Sequence, residues 1–130
     1  MNMSKLPNKR HLIRKLDSYW SQKIRSKGKC ERCGLTNKRL EMAHIISRNN
    51  KTLRWDESNL LCLCTTCHFW AHQNPLGFAD FVRINYPKRY TYLMEFKGRL
   101  TKYTAKDLKE RWDKQFLSHQ LGLKGLKRYV

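Results

Sequence analysis

The chain has 130 residues, 40% hydrophobic and 29% charged, and its 28 Lys and Arg against 10 Asp and Glu give a formal charge of +18. That length suits one domain with a modest core and is too short for two, while the charge calls for a polyanionic partner, nucleic acid first. No apolar run approaches the roughly 20 residues of a membrane span, and neither a signal-type start nor a lipidation motif is present, so no membrane partner is expected and the cytoplasm is the expected compartment.

The first predicted element is a helix over residues 9–26. Leu12, Leu16, Trp20 and Ile24 recur at four-residue steps with Ile13 beside them, making one apolar stripe. Arg10, Arg14, Lys15, Lys23 and Arg25 lie largely off it, on a face that is either solvated or set against phosphates. Gly28 and Gly34 then bracket Cys30 and Cys33, as a tight turn offering two sulfurs requires. Residues 40–46 read as a strand, 47–50 as a polar loop and 59–63 as a second strand, so a hairpin is expected. Thr65 and Thr66 can cap a short helix that runs to about Gln73 and stops at Asn74 and Pro75.

Beyond it, Phe78, Phe81, Val82 and Ile84 suggest a helix ending before Pro87, and residues 92–96 a shorter one. A last helix is predicted over 104–118, with Leu108, Trp112, Phe116 and Leu117 on one side. It is followed by a basic, glycine-punctuated tail, 121–130, to which no task is assigned. There is no internal repeat.

The chemistry begins with the cysteines. In a reducing compartment, paired thiols two residues apart read as metal ligands rather than disulfides. Cys30 with Cys33, and Cys64 with Cys67, present two such pairs to one tetrahedral zinc ion. The 30 residues between the pairs are accounted for by the inserted hairpin. Four protein ligands close the coordination sphere, so this zinc is expected to hold the fold and not to activate water. Four thiolates around Zn²⁺ lower the net charge by two, to about +16, and leave the case for nucleic acid standing. Cys62, the odd one, reads as a buried thiol, with a swap into the zinc shell in place of Cys64 disfavoured by its spacing from Cys67.

His68 and His72 are four residues apart, which puts both imidazoles on one helix face where they can grip a single cation. Met42, Ala43 and His44, then Asn59, then Cys64, Cys67, His68 and His72 together resemble the motif of HNH, or ββα-metal, endonucleases over about residues 30–72. That resemblance implies an α+β fold: a small ββα-metal core with a four-cysteine zinc site, flanked by further helices. It also implies metal-dependent hydrolysis of DNA phosphodiesters, with His44 as general base, Asn59 tying the loop to the site, and His68 and His72 binding a catalytic divalent metal, Mg²⁺ or Mn²⁺ first. Many relatives carry a ligating His or Asp just before the base, where this chain has Ala43. The metal shell is thinner here, with Glu41, on the same strand face, as an extra candidate.

A second resemblance, over about residues 16–82, is to the phage NinG/Rap recombination proteins, carried by Leu16 to Arg25, the Cys30 knuckle, Ala43 to Arg48, and Leu53 to Asn59. It implies branched or nicked duplex DNA as substrate and phage recombination or packaging proteins as further partners. Between the strands, Arg48, Lys51 and Arg54 are the expected phosphate contacts, Arg48 foremost, against the alternative of a solvated basic loop. Trp55 and Trp70 are expected to pack and not to stack on bases. With no base-reading motif, sequence preference should be weak and affinity should fall with salt.

The expected organisation is therefore one domain over 1–130, with a basic helix at about 9–26, a zinc and HNH core at about 30–74 and a helical region at about 76–130. Monomer and dimer both stay open. The rival function is a non-catalytic zinc-ribbon DNA-binding accessory, favoured by the missing donor at position 43. An RNA-binding or ribosomal zinc protein would explain the charge but not the histidine register.

Overall fold

A computed structural model describes residues 7–120, so the basic tail 121–130 lies outside the described residues. Helix α1, Lys9–Arg25, starts where the Asn8 side chain accepts the Arg10 amide at 2.8 Å, and it buries Leu12, Leu16, Trp20 and Ile24. These are the four residues of the predicted stripe. Burying each contributes about 1.5–3 kcal/mol relative to exposure, far more than the intrinsic preference of a Lys- and Arg-rich segment for helix.

Strands β1, Leu40–His44, and β2, Leu60–Cys64, pair antiparallel with Leu40 opposite Cys64 and His44 opposite Leu60. A lone two-stranded ribbon is marginal in water, and this one is covered on both faces. Leu61, Leu63 and Ala43 form one buried cluster with Cys67, Ala71, Phe78 and Val82. Leu60 and Cys62 form another with the α1 stripe, Trp55 and Leu108. All five β2 residues are buried, which is why the strand reads as a continuous apolar run. Cys62 faces α1, away from the other sulfurs, and burial pushes its thiol pKa up.

Helices α2, Thr65–Gln73, and α3, Pro75–Asn85, follow, then α4, Pro87–Phe96, and α5, Ala105–Gln120. Four details depart from the sequence reading. The cap of α2 is the Cys64 sulfur, which accepts the Cys67 amide at 3.4 Å, and the two threonines already lie inside the helix. The fourth helix starts at Pro87 and not at residue 92, because a proline lacking its N–H costs nothing at the first helical position. Strand β1 stops two residues early because Asn59 takes the amides of Ile45 and Ile46. In α5, Leu108 is fully buried, whereas Phe116 and Leu117 are 49% and 56% exposed, so the predicted stripe buries only its first turns. Thr104 and Asp107 close the start of α5 reciprocally, each side chain accepting the other's amide, at 3.0 and 3.1 Å. Among the described residues no helix is long and apolar enough to cross a membrane.

Asn59 is the strut of the β1–β2 connection. It is fully buried at the end of a single 3-10 turn, Glu57–Asn59. Its Oδ1 accepts the Ile46 amide at 2.7 Å, and its Nδ2 donates to the carbonyls of Ile46 and Leu53 at 3.0 and 3.1 Å. Replacing it by alanine strands an amide and two carbonyls in the interior, and we expect a loss of about 2–4 kcal/mol in urea-unfolding stability. Arg89 of α4 braces the same connection from outside, donating to the carbonyls of Glu57, Ser58 and Leu60 at 3.2, 3.0 and 2.8 Å.

Candidate metal centres and the adjoining cleft

Two groups of metal-type ligands flank the hairpin. In the first, one ligand atom each from Cys30, Cys33, Cys64 and Cys67 lies within 4.8 Å of the others, and the Cys33 and Cys64 sulfurs are 3.8 Å apart. Sulfurs bound tetrahedrally to zinc at about 2.3 Å sit about 3.8 Å from one another, so the cluster fits the ion. The two halves are built alike: the Cys33 amide points at the Cys30 sulfur at 3.5 Å, as the Cys67 amide points at that of Cys64. Gly34, at φ +79°, supplies the left-handed residue that closes the first turn. Burial resists a thiolate at Cys30, but backbone amides outweigh it and bring the thiol down to about 6.

Arg32, which the sequence reading passed over, completes this centre. Its Nη1 lies 3.4 Å from the Cys67 sulfur and its guanidinium carbon lies over Trp70, 3.5 Å from the ring centroid. A cation there offsets the negative charge of four thiolates. Trp70 is otherwise wedged edge-on against Phe78 and Phe81, and Trp55 is 1% exposed, so both tryptophans pack as expected.

The second group lies in a cleft of about 670 Å³ between the end of β1, α2 and α3, lined among others by His44, Arg48, His68 and His72. The Nε2 atoms of His68 and His72 are 3.2 Å apart. Two nitrogens at about 2.1 Å from one ion are separated by about that distance, so the pair fits a shared divalent metal. The Nδ1 of His68 lies 2.9 Å from Glu41 Oε1, which makes Nδ1 the protonated nitrogen and leaves the Nε2 lone pair to the ion. Glu41, a ligand candidate by strand face, is instead hydrogen-bonded to His68. Removing that acceptor by Glu41→Ala is expected to weaken metal binding at the histidine pair by about 10–100-fold, read by titrating Mn²⁺ into the zinc-loaded protein. Ala43, 1% exposed, packs into the core and brings no donor to the cleft.

His44 is half-buried, and its Nε2 makes a 3.0 Å hydrogen bond to the Arg54 carbonyl. A carbonyl only accepts, so Nε2 carries the proton and Nδ1 keeps its lone pair. Burial is the main influence on this ring. With the charges of Arg54 and Arg48 it outweighs the Arg54 carbonyl and Asp17, and holds the imidazole pKa below its ordinary 6.5. The side chain is thus a neutral base at neutral pH.

The three predicted phosphate contacts separate. Arg48 lines the cleft with its side chain 65% exposed. Lys51 is exposed on the connection and does not line the cleft. Arg54 turns away to α1, where its Nε and Nη2 grip Asp17 at 3.1 and 2.7 Å and its side chain is 16% exposed. Sequence reasoning missed Asp17 as a partner. The signal was present, since it is the one acidic residue of α1.

A sequence model of the HNH endonuclease family matches residues 30–73, a segment running from the first zinc-type cysteine to the end of α2. No match is found among curated proteins or solved structures. The fold is a mixed one, with a two-stranded sheet, four cysteines placed to bind a metal and additional helices, and its segment 30–73 is similar to the HNH endonuclease family.

Proposed function

We propose that the protein is a metal-dependent DNA endonuclease in which His44 is the general base. The observation that carries this reading is the shared cleft: a neutral imidazole with a free Nδ1, a histidine pair at metal-chelating separation and an exposed arginine line one cavity. His44 Nδ1 accepts the proton of the water that attacks phosphorus, Arg48 holds a phosphate oxygen, and the 3′ oxygen departs. A divalent ion on His68 and His72, when bound, supplies positive charge against that leaving oxygen. Asn59, buried and out of reach of DNA, acts by holding the connection that presents His44. Zinc on Cys30, Cys33, Cys64 and Cys67 is structural.

Mg²⁺ or Mn²⁺ is the working choice of catalytic metal, and a site with two imidazoles and no protein carboxylate on the ion also accepts softer ions. The net charge of +18 supports DNA as the polyanion. Branched or nicked duplex, and a setting in phage recombination or packaging, rest on the likeness of residues 16–82 to NinG/Rap proteins. The reading is tested by incubating zinc-loaded protein with supercoiled plasmid and with branched DNA, in Mg²⁺, Mn²⁺ or chelator. Nicking that depends on the added metal is the expected result. Binding without nicking under every metal would favour the non-catalytic zinc-ribbon accessory, which the donor-free Ala43 position supports.

A further inference from the structure

The His44 hydrogen bond ends on the peptide that joins Arg54 to Trp55. Both side chains flanking that peptide are held by one carboxylate. Asp17 takes the Arg54 fork through both oxygens, at 3.1 and 2.7 Å, and accepts the Trp55 indole N–H at 2.8 Å. Asp17 is 28% exposed and sits on α1, one residue from fully buried Leu16, so it is fixed by the helix that covers the outer face of the hairpin. Trp55 is packed with Leu12, Leu16, Leu60 and Leu108. The carbonyl that sets the His44 tautomer is therefore clamped from both sides by a residue outside the segment matched by the nuclease family.

We infer that Asp17 is the positioning residue for the general base: by clamping Arg54 and Trp55 it fixes the carbonyl that holds His44 in its Nε2–H tautomer. A two-point ion pair that is partly desolvated keeps its geometry better than a loop carbonyl alone, and a base locked by a third group is the usual requirement for proton transfer at a defined atom. The same carboxylate also restrains Arg48, whose Nη2 is 4.0 Å away, at the rim of the cleft. Asp17 therefore costs DNA affinity, since its removal frees two arginines toward phosphate. The groups that bear on the ring are Asp17 from α1, Arg48 and Arg54 from the connection, and His68 and His72 from α2 across the cleft.

This inference rests on the nuclease reading for its catalytic consequence but not for its structural one, and the test separates the two. Asp17→Asn and Asp17→Glu are prepared in the full zinc-loaded chain, and three quantities are read: nicking kcat and KM on plasmid, affinity for duplex DNA, and the ring ¹⁵N shifts of His44, which report its tautomer. For Asp17→Asn we expect kcat to fall about 10–100-fold, DNA affinity to stay equal or rise, and the His44 nitrogens to lose the signature of a single Nε2–H tautomer. Asp17→Glu, which keeps the carboxylate, should recover part of both kcat and tautomer. Should Asp17→Asn fail to fold, Asp17→Glu against wild type gives the same readings with a smaller expected difference. Unchanged kcat with an unchanged His44 signature would overturn the inference, and so would a loss confined to KM. A wild-type protein that never nicks would refute the nuclease reading alone, and the ¹⁵N signature would then decide whether Asp17 positions His44.

Discussion

Alanine at position 44 is expected to lower plasmid nicking by about 10²–10⁴-fold, the usual contribution of a positioned general base. DNA affinity and zinc content should be unaltered. The substitution removes a half-buried ring that hydrogen-bonds to a main-chain carbonyl, so the fold loses little. The pH profile of the unsubstituted protein carries the same signature. Burial depresses the His44 pKa, and the base works only when neutral, so the acidic limb of the profile should lie below pH 6.5 and not at it. The sign for stability follows from the same shift. The unfolded chain binds this proton more readily than the folded one, so the contribution of His44 is present above the unfolded pKa and is lost as pH falls through that value and below it. An acidic limb above 6.5, or an alanine variant that nicks as fast as the parent, would remove His44 from the base role.

Removing zinc should have the largest effect of all. Structural zinc sites bind with about 10–16 kcal/mol of apparent free energy near neutral pH, against a total stability of about 5–15 kcal/mol for a typical domain. Stripping the ion with a strong chelator is therefore expected to abolish cooperative unfolding and much of the circular-dichroism signal of α2 and the hairpin. The fold depends on the cluster because Cys30 and Cys64 are fully buried members of the core that also holds Leu61, Leu63 and Val82. Without the ion, several sulfurs would be protonated and unsatisfied around a gap in that core. Cys30→Ser should behave like the stripped protein, while Cys62→Ser, outside the cluster, should keep one zinc per chain. Retention of the melting transition in metal-free protein would contradict a structural role for the four cysteines.

What could be read in the sequence was whatever repeats or pairs at fixed spacing. The α1 stripe, the two cysteine pairs, and the four-residue step from His68 to His72 each follow from local geometry, and each places its residues where expected. What escaped was set by contacts distant in sequence. Asp17 meets Arg54 and Trp55 across 37 and 38 residues, Arg32 meets Cys67 across 35, and Arg89 reaches back about 30 residues to the 3-10 turn. No periodicity encodes such partners. The position of Arg54 between the strands, with Arg48 and Lys51, predicts a phosphate contact, and only the approach of α1 shows its guanidinium engaged with Asp17. The start of α4 was placed late because Pro87 was read as a stop, although a proline ends one helix and opens the next equally well.

The double-sided burial of the hairpin limits how portable the hairpin and its metal-type ligands are. A fragment trimmed to 30–73 would uncover Leu60, Cys62 and Trp55, apolar groups that α1 and α5 now shield, and would also sever the clamp on the Arg54 peptide. Grafted into another scaffold, such a piece would aggregate or need a surrogate helix bearing a carboxylate at the matching position. The smallest transferable cassette therefore begins at about Asn8, with the amino-terminal helix treated as part of the proposed catalytic unit and not as an appendage to it.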